Sequence, residues 1–170
     1  DGSITCNTLR ALVREMPCFG GPYFSDSFCP ARTCANNALP PVGRSRHHLP
    51  QVCEQIVRGF CFGCEGEGNP CTSCETDGEK AAIAFMDSLP EIRRLLAGDA
   101  KAAYEGDPAA TSPGEAIFCY PSMQAMLHHR IAHELYKLNV PVIPRIISEM
   151  SHSATGIDLY PVQASVKNFT

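Results

Sequence analysis

The 170-residue chain carries 14 basic and 18 acidic residues, and its formal net charge is −4. This size allows one domain, or one domain with a small appendage. The basic residues do not cluster, which argues against a nucleic-acid partner. No apolar run approaches the roughly 18 residues that a transmembrane segment needs. Because the sequence begins at Asp1 rather than Met, we expect a preceding segment to be missing, and an organelle transit peptide is one option.

The cysteines divide the chain, since nine of the ten lie at or before Cys74 and the other is Cys119. Residues 1–78 form a Cys-, Pro- and Gly-rich segment. Apolar stripes predict two helices in it, over 3–16 and 45–60. The stretch between them has no period and predicts an irregular loop.

A helical domain is predicted over 79–158; its residues 79–153 are strongly helical, and the helix start signals repeat. Thr76–Glu79, Ser88–Glu91 and Ser112–Glu115 all match the Ser/Thr-x-x-Glu capping box, in which the hydroxyl accepts from the N3 amide. The boxes predict helix starts, and the periodic stretches predict helices over 79–87, 89–104, 113–120, 122–138 and 142–152. The expected fold is an all-α helical bundle with short connections, followed by a tail over 159–170.

The stretch "CFGCEGEGNPCTSC" holds two Cys-x2-Cys pairs. Each pair can grip one side of a tetrahedral ion, so the sequence predicts a structural zinc site formed by Cys61, Cys64, Cys71 and Cys74. Its first half is similar to the zinc-binding repeat of J-protein cysteine-rich domains. Disulfides and free thiols are the alternatives. A redox module is disfavoured, because no Lys or Arg lies between residues 59 and 78 to lower the pKa of these thiols.

From about residue 88 onward the chain resembles the N-terminal helical domain of serine O-acetyltransferases. The most specific motifs are "GDPA" at 106–109, "YPSMQAMLHHRIAHELYKL" at 120–138, "PRIISE" at 144–149 and "TGID" at 155–158. These enzymes make O-acetylserine from L-serine and acetyl-CoA. The resemblance implies a helical domain that stacks two trimers and precedes a catalytic left-handed β-helix of hexapeptide repeats.

The resemblance carries two site positions onto this chain. Asp107 matches the aspartate that contacts the serine substrate, and Asp158 matches the aspartate that orients the catalytic histidine. Tyr160 stands where the family has a histidine, and "VQASVKNFT" follows where hexapeptide repeats are expected. The catalytic histidine and the acetyl-CoA groove are absent from the sequence, so we expect no acetyl transfer by the chain alone. Acetyl-CoA binding and a homo-oligomer are expected only if a catalytic domain follows.

Two histidines are spaced to share one helical face. His129 and His133 stand four residues apart, a spacing that can hold a metal. The family has a histidine at the position of His133 without a metal role, so a structural role is the favoured interpretation.

Two functions follow from these observations. The favoured hypothesis is a non-catalytic structural or assembly subunit that docks through its helices into a larger protein complex. The alternative is the N-terminal part of an active serine O-acetyltransferase in cysteine biosynthesis. Either is expected to be intracellular, in the cytoplasm or in an organelle such as a plastid or mitochondrion.

Overall fold

The computed structural model of the chain describes residues 45–62 and 72–162, and within them it contains helices and no strand. The helices are α1 (Ser45–Cys61), α2 (Thr72–Gly106), α3 (Pro113–Cys119), α4 (Pro121–Lys137) and α5 (Ile143–Thr155). The all-α fold class is therefore confirmed for the described part. The predicted helix over 3–16, the irregular loop after it and most of the predicted tail lie outside the described residues.

Two of the predicted helix starts are wrong, because both lie inside helix α2. It runs for 35 residues without a break, so Thr76 and Ser88 lie inside it rather than at N-caps. The Ser88 hydroxyl instead donates to the carbonyl of Phe85, at 2.7 Å. Phe85 and Ile92 flank Pro90 and are both fully buried, so the same apolar stripe continues past the proline. The burial of these side chains keeps the chain helical in spite of Pro90 and the capping box at Ser88.

The third capping box is confirmed, with a variation. Ser112 is the N-cap of α3, and its hydroxyl accepts from the Glu115 amide at 3.2 Å. The Glu115 carboxylate accepts from the amide and the hydroxyl of Thr111, at 2.7 and 2.6 Å, one residue before the cap. Tyr120 then both ends α3 and begins α4. A helix start is thus fixed just beyond the "GDPA" turn.

One core holds the helices together. Helix α2 packs against α1, α3 and α4, and α4 also packs against α3 and α5. The large side chains of this core are almost completely buried: Ile56, Phe85, Ile92, Ile131, Leu135, Ile143 and Ile147. Helix α4 is therefore the central element, since its apolar face meets both α2 and α5.

A buried ion pair joins α2 to α4. The Nε and Nη2 atoms of Arg130 donate to the two carboxylate oxygens of Asp99, at 2.7 and 2.8 Å. The two side chains are only 2% and 1% exposed. Because a charge in such a site is costly without its partner, the pair fixes how α2 and α4 sit on each other.

No helix within the described ranges combines the length and the hydrophobicity of a membrane-spanning segment. The division of the chain at residue 78 falls inside α2 and stays a prediction.

Candidate functional site

Asp107 lies in the turn that follows α2. Its Oδ1 accepts from the amide of Ala109 at 2.9 Å, and its main-chain carbonyl accepts from the amide of Ala110 at 3.1 Å. The other carboxylate oxygen accepts from the hydroxyl of Tyr120. The turn and the tyrosine hold the half-buried carboxylate in one orientation.

The hydrogen bonds of Asp107 determine the protonation states of Asp107 and Tyr120. The hydrogen bond from Tyr120, and then the one from the Ala109 amide, lower the pKa of Asp107. The same hydrogen bond raises the pKa of Tyr120 to about 12. At neutral pH Asp107 is therefore ionised and Tyr120 keeps its proton. A general base for hydroxyl chemistry needs a pKa near the working pH, so this pair is suited to binding a cation rather than to removing a proton.

The role of Tyr120 was not foreseen from the sequence. It is the last residue of the helix predicted over 113–120, and it stands 13 residues after Asp107. The available signal was its place directly before Pro121, because the residue before a proline is held extended and leaves the helix.

Asp158 follows Gly156, which ends α5 in the left-handed conformation, with φ of 73°. Its Oδ1 lies 3.8 Å from Nδ1 of His152, and both side chains are about half exposed. No hydrogen bond or ion pair joins Asp158 to Asp107 in the described part of the chain. The two site positions have separate partners, Asp107 after α2 and Asp158 after α5.

The segment that carries Asp158 folds back onto α4 and α5. His133 donates from Nδ1 to the carbonyl of Pro161 at 2.7 Å. The guanidinium of Arg145 lies over the ring of Tyr160, 4.7 Å from its centroid. Tyr160, at the position where the family has a histidine, thus packs against α5.

The histidines of α4 have structural contacts. His129 and His133 stack, with ring centroids 5.9 Å apart, and His128 donates to the carbonyl of Gln124. Burial first, and then the neighbouring His133 and Arg130, lower the pKa of His129 to about 4. Among the residues that the structure describes, no group of three His, Cys, Asp or Glu side chains is arranged for a metal ion. The favoured structural interpretation of His129 and His133 stays a prediction.

Two of the four predicted zinc ligands are described. Cys61 ends α1 and is half-buried, and Cys74 lies buried in the first turn of α2. Cys64 and Cys71 fall outside the described residues. The zinc site therefore stays a prediction.

Known proteins match this chain in sequence and in fold. "Serine acetyltransferase, plasmid" from Synechococcus elongatus is 56% identical over 78 residues, which are 46% of this chain and 24% of that protein. Serine acetyltransferase from Synechocystis is 44% identical over 66 residues, 39% of this chain and 26% of that protein. Native serine acetyltransferase 1 from Entamoeba histolytica has a TM-score of 0.65 at 27% identity, over 88% of this chain and 50% of that one. No family model matches the chain.

The fold and the site define an all-α domain that presents a fixed, ionised carboxylate beside a helix start. In sequence and in fold, that domain is similar to part of serine acetyltransferases. The resemblance found in the sequence is thus confirmed. The chain spans about a quarter of the length of the curated relatives it matches.

Proposed function

We propose that this chain is a non-catalytic structural or assembly subunit, which docks into a larger protein complex through a helical domain of the serine acetyltransferase type. The observation that supports the proposal is the surroundings of Asp107: its carboxylate partners among the described residues are the Tyr120 hydroxyl and the Ala109 amide, and neither takes up a proton at neutral pH. Acetyl transfer to serine requires a group that takes the hydroxyl proton near neutral pH. An ionised carboxylate of lowered pKa and a tyrosine with a pKa of about 12 do not supply it.

The described surface offers anchors for docking. Tyr104, Phe118 and Tyr136 are all exposed, and Phe118 keeps 52% of its surface accessible. Aromatic side chains are enriched at protein interfaces, because they bury a large area at a small cost in side-chain entropy. An intracellular site of action, in the cytoplasm or in an organelle, belongs to the same proposal.

A second candidate is the N-terminal part of an active serine O-acetyltransferase. The observation that favours it is again Asp107, because an ionised carboxylate has about four acceptor positions and the two intrachain donors fill only part of them. The remaining positions suit the ammonium group of L-serine. Asp158 would then orient a histidine of a catalytic domain, and acetyl-CoA would bind to that domain.

One assay separates the two functions. The purified 170-residue chain, shown to be helical by circular dichroism, is mixed with L-serine and acetyl-CoA, and the release of coenzyme A thiol is followed. The structural role predicts no serine-dependent release above background. Turnover at a rate typical of enzymes, about 1 per second or faster, would exclude it.

Serine binding provides the positive test of the second candidate. Titration of L-serine is followed by the NMR signals of Ala109 and Tyr120, in the chain and in Asp107→Asn. The matched control is Glu105→Gln, which removes an exposed carboxylate two residues earlier on α2. Saturable shifts that Asp107→Asn abolishes and the control retains support substrate binding. Equal behaviour of both variants contradicts it.

Docking is measured separately by size-exclusion chromatography with an intact serine acetyltransferase. The structural role predicts co-elution, weakened by Phe118→Ser. The buried Ala116 is left unchanged, so that α3 still packs in its place. If the chain elutes alone at tens of micromolar, assembly with that enzyme is excluded.

A further inference from the structure

Helices α1 and α2 approach each other more closely than ordinary helices. A Cβ atom added to Gly78 would lie 2.9 Å from the Cα of Val57 and 2.4 Å from its Cγ2. The Cα atoms of Gly78 and Val57 are therefore at most about 4.4 Å apart, which is the 2.9 Å plus one C–C bond of about 1.5 Å. Typical helix axes are 8–10 Å apart, so this glycine contact brings the two backbones together.

The register of the two helices follows from this contact. Residues 62–71 connect the two helices, which pack on each other, and consecutive helices joined by a short link usually run antiparallel. Burial, and then the charge of Glu79 next to Gly78, raise the pKa of Cys53, which lies one turn before Val57. Both facts place the start of α2 beside the end of α1.

Two cysteines occupy matching positions in this register. Cys61 is four residues after Val57, and Cys74 is four residues before Gly78. The rise from Val57 to Cys61 and the rise from Gly78 back to Cys74 are each about 6 Å along the helix axis. In antiparallel helices both rises lead toward the connecting segment, so the two cysteines lie opposite each other. Each cysteine also lies on nearly the same face of its helix as its contact residue, since four residues make slightly more than one turn. Cys74 is 7% exposed, and Cys61 is half-buried.

We propose that Cys61 and Cys74 form a reversible intrachain disulfide that joins the end of α1 to the start of α2. A disulfide needs Cα atoms about 4.4–6.8 Å apart, which ordinary helix packing seldom provides. The Gly78 contact, one turn away, supplies the close approach. Both residues carry reduced thiols in the structure.

The oxidant is a low-molecular-weight disulfide such as oxidised glutathione, and the reaction is a pair of thiol–disulfide exchanges. The more accessible Cys61 thiolate attacks one sulfur of the oxidant, forms a mixed disulfide and releases one thiol. The Cys74 thiolate then attacks the Cys61 sulfur, forms the intrachain bond and releases the second thiol. The two cysteine protons end on the two released thiols.

The test uses the complete chain and oxidised glutathione. After oxidation, free thiols are blocked, and peptide mass spectrometry identifies the linked pair. We expect a peptide that joins Cys61 to Cys74, and a thermal midpoint raised by roughly 5 to 10 °C over the reduced chain. Cys61→Ser and Cys74→Ser each remove both effects. Cys53→Ser is the matched control on α1 and retains them.

A double variant, Cys64→Ser with Cys71→Ser, makes the outcome decisive. The proposed pair survives in that variant, so the same linked peptide and the same shift of the midpoint are expected. A linkage that instead uses Cys64 or Cys71, or stable singly glutathionylated chains, would overturn the proposal. So would one equivalent of zinc that the chain retains through purification and that protects all four thiols from oxidation.

Discussion

Removal of one member of the Asp99–Arg130 pair is expected to destabilise the domain strongly. The two charges are 1% and 2% exposed and share two hydrogen bonds of 2.7 and 2.8 Å, so solvent does not screen their interaction. Asp99→Ala leaves the Arg130 guanidinium buried without its counter-charge. Loss of one partner of such a pair costs about 3–5 kcal/mol.

Urea unfolding, followed by circular dichroism at 222 nm, measures the effect. For a denaturant slope of about 2 kcal/mol per molar, the midpoint falls by roughly 1.5 to 2.5 M. The double variant Asp99→Leu with Arg130→Met removes both charges, and its stability is expected to return close to that of the wild-type chain. The difference between single and double variants isolates the cost of an unpaired buried charge.

The chain contains a matched control for this experiment. Arg94 and Glu91 form a similar two-bond contact, at 2.7 and 2.6 Å, but both side chains are more than half exposed. Water screens that pair, so Glu91→Ala is expected to leave the midpoint almost unchanged. The reasoning is refuted if Asp99→Ala costs less than about 1 kcal/mol, or if the double variant is as unstable as the single one.

Three further predictions concern packing, capping and pH. Gly78→Ala is expected to lower the free energy of unfolding by about 1–3 kcal/mol in urea, because the added methyl group meets the backbone of Val57. Gly106→Ala is the control: its methyl group meets nothing within 4 Å, so this variant is expected to be neutral or stabilising. Ser112→Ala removes the N-cap of α3 and is expected to cost about 1 kcal/mol in the same assay. The pKa of His129 is about 4 in the folded chain and about 6.5 in the unfolded chain, so between these pH values the unfolded chain binds the proton more readily. The free energy of unfolding is therefore expected to fall as the pH drops from 6.5 toward 4. Thermal midpoints measured across that range are expected to fall less steeply in His129→Phe.

Each of these predictions has a contrary result. Equal effects of Gly78→Ala and Gly106→Ala would contradict the close α1–α2 contact. An unchanged midpoint in Ser112→Ala would mean that the packing of Ala116, not the cap, holds α3 in place. Equal acid sensitivity of the His129→Phe variant would assign the loss of stability to other groups.

The class of fold was open to prediction because its signal is local. Apolar residues at helical spacing and a cap such as Ser112 depend on neighbours within a few positions. The two wrong helix starts, at Thr76 and Ser88, show the limit of that signal. The same capping pattern begins a helix only when the preceding residues leave the helix, and in α2 the burial of Phe85 and Ile92 on both sides of Pro90 keeps them helical.

The site was predictable only where a motif carried it. Asp107 and Asp158 were found through the family resemblance, whereas Tyr120 became visible only when the turn after α2 brought it to Asp107. The Asp99–Arg130 pair was missed for a related reason. Its members are 31 residues apart, and charged residues on helices usually face solvent, so nothing in either segment indicates burial.

The length of α2 has a practical consequence. Its 35 residues span roughly 50 Å, with Cys74 in the first turn and Asp107 directly after the last residue. Chemistry at one end is thus separated from the other by several Debye lengths at physiological ionic strength. A label or a fused domain attached near the cysteines is therefore expected to leave the carboxylate turn electrostatically unchanged.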